Sequence, residues 1–145
     1  MQCIYYKSGY KFQLQRDYID VINFKPEQAI STKFIELAVD GTIKLAHGYA
    51  WDGASGPTFD TLNLMRGSLI HDALYQLMRE GYLDRDKHRK PADKLLQNIC
   101  KEDGMSALRA WTTYMAVRLA SGYAVLPRGG NPVVQAPQSC TPRLG

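Results

Sequence analysis

The sequence predicts an α+β fold, an N-terminal antiparallel β-sheet with hairpins followed by a three-helix half. Three observations carry this. Short runs rich in β-branched and aromatic residues fill residues 1–57, and an Asp40-Gly41 pair separates two of them. Beyond Pro57 the apolar period lengthens from two to about 3.6. A chain of 145 residues suits one core, so residues 1–126 are expected to form a single domain, mainly β over 1–57 and mainly α over 58–126. Residues 127–145 carry four of the seven prolines and no helical pattern, and are expected to form an extended tail.

The first strands are expected over Cys3 to Tyr6, Tyr10 to Leu14 and Tyr18 to Ile22, each bounded by polar residues or glycine. The clearest hairpin pairs Lys33 to Val39 with Thr42 to Ala46, and its Asp-Gly corner suits a two-residue type I′ turn. Three glycines and Pro57 then end regular structure, and Trp51 to Pro57 reads as a tight loop. In the first helix Ile70, Leu74 and Leu77 share one face, with His71, Tyr75 and Met78 on the adjacent one. Ser68 is its expected N-cap and Gly81 its stop. A second helix is expected to start near Arg89 to Pro91, with proline in the first turn, and to end at Gly104. Ser106 caps a third, Ala107 to Ala120, expected to bury Leu108, Trp111, Met115 and Leu119.

Composition narrows the function classes. With 45% hydrophobic and 22% charged residues the chain is neither disordered nor fibrous. A net charge of +4 favours phosphate-rich partners only mildly. Much of the charge alternates in sign between Arg79 and Lys94, a pattern of solvated surface that argues against specific nucleic-acid binding. Three cysteines, Cys3, Cys100 and Cys140, lack the spacing of a disulfide framework or a zinc knuckle. Neither a signal peptide nor an apolar membrane span is legible, so the product is expected to be cytosolic or delivered by some route other than secretion.

The chemistry concentrates in Ile70-His71-Asp72-Ala73-Leu74-Tyr75 and Ala92-Asp93. If the two helices pack antiparallel, Asp93 reaches one ring nitrogen of His71 and leaves the other to take a proton from water. Asp72 points about 100° round the helix from His71 and can face the Trp51 to Pro57 loop. A carboxylate facing loop carbonyls is the donor chemistry of calcium. An ordinary turn is the alternative reading of that loop.

His71-Asp72-x-x-Tyr75 followed by Ala92-Asp93, behind a glycine-bearing loop, resembles the secreted, bacterial and parvoviral phospholipase A2 superfamily. The resemblance implies that His71 is the base, that Tyr75 and Asp93 hold it, and that Asp72 binds calcium with carbonyls near Trp51, Gly53 and Ser55. Asp52 would add a ligand or cap the turn. Leu74 and Ala92 stand where the vertebrate-type enzymes carry two bridging cysteines, and the loop is poorer in glycine. Tyr114 to Arg118 resembles the Tyr-x-x-Val-Arg stretch of the bacterial branch, although a core tyrosine beside a solvated arginine is the plainer reading.

Over Ala46 to Gly122 the motifs Trp-Asp-Gly-Ala-Ser, Ile-His-Asp-x-Leu-Tyr and Ala-Asp are more closely similar to an uncharacterised domain family of tailed bacteriophages and prophages. This implies a phage-encoded protein in the host cytoplasm or the virion. The expected activity is calcium-dependent hydrolysis of phospholipid acyl esters at a membrane surface. One alternative is a non-catalytic virion (tail) or accessory protein that docks phage structural proteins through residues 127–145. A second is a metal-dependent phosphohydrolase using His47, His71, Asp72 and Asp93.

Overall fold

Residues 4–6, 12–53, 61–120 and 134–136 are described by a computed structural model. In chain order the elements are β1 (Ile4–Tyr6), β2 (Phe12–Gln13), β3 (Tyr18–Val21), β4 (Ile30–Ser31), β5 (Ile35–Leu37), β6 (Thr42–Leu45), β7 (Ala50–Trp51), α1 (Leu62–Arg79), α2 (Arg85–Glu102), α3 (Ala107–Ala120) and β8 (Val134–Ala136). The α+β arrangement is as expected, with antiparallel sheets ahead of three helices.

Alternation builds the main sheet, whose strand order is β3-β6-β5-β4. Ile35, Leu37, Ile43 and Leu45 turn inward and are fully buried, while Glu36 and Lys44 pair on the outer face. The hairpin corner differs from a type I′ turn. Gly41 has φ +93° but Asp40 does not have positive φ, and Gly41 N–H returns to the Ala38 carbonyl at 3.0 Å. The loop is therefore three residues long, a tight turn closed by a glycine bulge. Asp40 stabilises it by accepting from Thr42 N–H at 2.8 Å. A side chain at Gly41 would meet the Ile22 carbonyl at 2.3 Å, so glycine is required on two counts.

β2 pairs with β7, and β1 pairs with β8. In the second pairing residues 134–136, within the expected extended tail, form a strand against the N-terminal segment. The rest of residues 127–145 lie outside the described residues.

The inner face of the sheet packs on Leu69, Ile70, Ala73, Leu74 and Leu77 of α1 and on Ala92, Leu95 and Ile99 of α2. Leu74 and Ala92 are both fully buried at the seam between the two helices. α1 starts earlier than expected, directly after Thr61, and Ser68 lies buried inside it. Ser68 accepts from the Trp51 indole at 3.3 Å and donates to the Met65 carbonyl, so it ties helix to strand instead of capping. The stop is as expected: Gly81 N–H reaches Met78 O and Tyr82 N–H reaches Leu77 O, the paired bonds of a left-handed helix cap.

α2 begins at Arg85, not near Pro91, because Asp84 caps it by accepting from Lys87 N–H at 2.9 Å. Pro91 thus sits inside the helix on an exposed face.

α1 and α2 run antiparallel. Arg66 meets Asp103, Gly67 faces Cys100, and His71 meets Asp93 in one descending series. A Cβ on Gly67 would lie 2.9 Å from both Cys100 Sγ and Leu96 Cδ1, so its absence lets the helices close.

Ser106 caps α3 through Arg109 N–H as expected, but the buried face is the opposite one. Ala110 and Thr113 are buried, and Val117 packs on the small second core of Leu64, Leu96, Cys100 and Met105. Leu108, Trp111 and Leu119 are exposed, and Met115 is only partly buried. The crowded α2 surface accepts small residues, which turns the large ones outward.

Candidate functional site

His71 and Tyr75 lie one turn apart on α1, their rings 4.0 Å apart between centroids. Asp93 faces them from α2 with no exposure at all. His71 Nε2 lies 2.6 Å from Asp93 Oδ1, and the Tyr75 hydroxyl donates to the same oxygen. Arg118 Nη1 of α3 donates to the other oxygen, Oδ2, at 2.9 Å. Burial alone would raise the Asp93 pKa, but the bonds from His71, Tyr75 and Arg118 outweigh it and hold the carboxyl below its usual range. An ionised carboxylate only accepts hydrogen bonds, so His71 Nε2 carries the proton and Nδ1 of the neutral ring is the basic nitrogen. Tyr75 is pushed above the ordinary phenol range by burial first and then by its bond to Asp93.

Nδ1 turns toward Asp72, whose Oδ1 lies 4.0 Å away. That gap exceeds a direct hydrogen bond and suits one bridging water. Asp72 also faces the loop, near enough to the Gly53 backbone for it to lower the carboxyl's pKa. Burial pushes the Asp72 pKa up to about 6, and the nearby Asp52 charge adds to the rise while His71, Gly53 and Arg79 oppose it. Such a carboxylate is costly to ionise without a cation beside it.

The metal expectation meets mixed geometry. Asp72 has the Asp52 charge near enough to raise its pKa. Trp51 lies in β7 opposite Phe12, with its indole in the core. Ser55 lies outside the described residues. Among the described residues no group of three or more His, Cys, Asp or Glu side chains stands ready for a metal. In particular His47, His71, Asp72 and Asp93 do not assemble into such a group. His47 is exposed in the turn before β7, its backbone N–H bonded to Asp17.

Sequence reasoning missed the arginines. Arg118 is an ion-pair partner of a fully buried carboxylate, not a solvated side chain, and Trp111 is half exposed where a core residue was expected. Arg89 of α2 donates to the Arg118 carbonyl at 2.7 Å. The one available signal was Arg118 itself, on the helix face shared with Tyr114. No helix among the described residues is long and apolar enough to cross a membrane.

The family described as "Protein of unknown function (DUF1353)" matches residues 31–117. That span holds the main hairpin, Trp51 to Gly53, His71, Asp72, Tyr75 and Asp93, and stops one residue short of Arg118. No curated protein and no solved structure matches the chain. With more than half of its length matched, the chain belongs to the DUF1353 family.

Proposed function

We propose that this chain is a phospholipase A2-like hydrolase of phospholipid acyl esters, with His71 as general base. One observation carries the reading: Asp93, bonded in turn by Tyr75, holds His71 at Nε2 and leaves Nδ1 without a direct hydrogen bond to Asp72, whose Oδ1 lies 4.0 Å away. A water held there loses its proton to Nδ1 as its oxygen attacks the acyl carbonyl. Collapse of the tetrahedral carbon breaks the ester bond, and the proton passes from Nδ1 to the departing alcohol. Asp93 stabilises the imidazolium between those steps without taking the proton.

Asp72, costly to ionise alone and with the Asp52 charge nearby, has the donor chemistry of a hard divalent cation, which would need further loop carbonyls. Calcium, when bound, supplies positive charge for the oxyanion. The phage motifs of the sequence support an origin in tailed phages or prophages, acting in the host cytoplasm or the virion.

The test is release of fatty acid from defined phospholipid vesicles, with calcium or with chelator. Release by the wild type with calcium, falling at least about 100-fold in His71→Ala, is expected, since a positioned base contributes that much or more. Equal background rates in every sample would remove the reading.

A second reading, a non-catalytic virion or accessory protein on the same scaffold, is favoured by the outer face of α3. There Leu108 is 73% and Leu119 83% exposed. On that reading His71→Ala would leave the protein's binding partners unchanged.

A further inference from the structure

Base and water account for His71, Asp93, Tyr75 and Asp72, but not for the third helix. A carboxylate rotates about its last bond in a broad, nearly two-fold well, so the two oxygens of Asp93 exchange readily unless each has its own partner. Oδ1 takes His71 and Tyr75. Oδ2, with no exposure to water, takes Arg118 Nη1. α3 is itself held at the height this requires. Arg89 Nη2 bonds the Arg118 carbonyl, one of the last-turn carbonyls that lack an intrahelical partner, and Lys94 lies over the Tyr114 ring at 5.2 Å.

We infer that Arg118 is a positioning residue. By holding Oδ2 it fixes the plane of the Asp93 carboxylate, keeps Oδ1 on His71 Nε2, and so turns Nδ1 toward Asp72. Removing it leaves one oxygen of a buried carboxylate without a partner, and the group turns to share the donors that remain. The inference rests on the reading of His71 as base, while its test does not.

The test uses the full chain labelled with ¹⁵N, at one fixed pH. Two-bond histidine correlations report which ring nitrogen of His71 carries the proton, and hydrogen exchange reports how firmly Nε2–H is held. His47→Gln and His88→Gln assign the signals. In the wild type the proton sits on Nε2 and exchanges slowly. In Arg118→Met exchange accelerates about tenfold or more, the factor expected for a bond to a charged group, and the tautomers mix. Arg118→Lys restores protection in part, since one ammonium donor replaces a guanidinium.

Leu108→Ala alters the exposed face of α3 without touching its packing on α2 or Arg118, and leaves the His71 signals as in the wild type. Wild-type protection in Arg118→Met overturns the inference. Should that variant fail to fold, Arg118→Lys decides: reduced protection supports the inference, and wild-type protection overturns it. Protected Nε2–H in a wild type that releases no fatty acid sinks the hydrolase reading and leaves the positioning role standing.

Discussion

Two carboxylates near one imidazole respond to pH in opposite directions. Asp93 has a lowered folded pKa, so its stabilising contribution is present above the unfolded value near 4 and is lost as pH falls through the folded one. Asp72 is raised to about 6, so its native form holds the proton longer than the unfolded chain does, and stability declines as pH rises from about 4 to about 6. In chelator, Asp72→Asn is therefore expected to be more stable than the wild type at pH 8. The gain is on the order of 1–2 kcal/mol, once discounted for the 28% of the side chain that water reaches, and it closes near pH 4. Urea denaturation at the two pH values checks this. A variant less stable than the wild type at pH 8 would contradict it.

At the scale of elements, the orientation of α3 makes a sharp contrast. Its sequence offers a large apolar stripe through Leu108, Trp111, Met115 and Leu119, yet the face against α2 is Ala110, Thr113 and Val117. Leu119→Lys is expected to change stability by less than about 0.5 kcal/mol, as exposed substitutions do. Ala110→Leu inserts bulk where there is no exposure and is expected to cost about 1–3 kcal/mol. Thermal melts of both variants decide it, and equal costs would mean that α3 is turned differently in solution. The same crowding explains Gly67, where any Cβ would press on Cys100 and Leu96.

Across the whole molecule, Arg66 joins the sheet to the ends of the helices. Its guanidinium bonds Asp20 of β3 at 2.9 Å, Glu102 at 3.0 Å and Asp103 at 2.9 Å. The bonds to Asp103 come first in raising its pKa above the ordinary arginine range. Arg66→Ala would leave three carboxylates facing one another without their cation. A loss of about 1–3 kcal/mol is expected in urea denaturation, below the cost of a fully buried pair because Glu102 is 65% exposed. No change in stability would mean that solvent screening already does this work. A second tie, Glu27 to Lys87 and His88, holds the chain between β3 and β4 to α2. Bonds from Lys87 and from backbone bring Glu27 down to about 2.

By itself the sequence determined what local rules reach: the change of period, the strands about Asp40-Gly41, the left-handed stop at Gly81, and the His71, Tyr75 and Asp93 set. Those features depend on residues within a few turns of one another, or on one antiparallel pairing of neighbouring helices. Tertiary structure decided the rest. The bulged corner follows from Gly41 lying against the Ile22 carbonyl, and the inward face of α3 from the space α2 leaves. Ser68 became a tie to Trp51 because α1 starts about two turns earlier than its apolar stripe indicates. Arg118 lies 25 residues from Asp93, and no periodicity marks a partner across that distance. Only three helices packed together bring its charge to a carboxylate from which water is excluded.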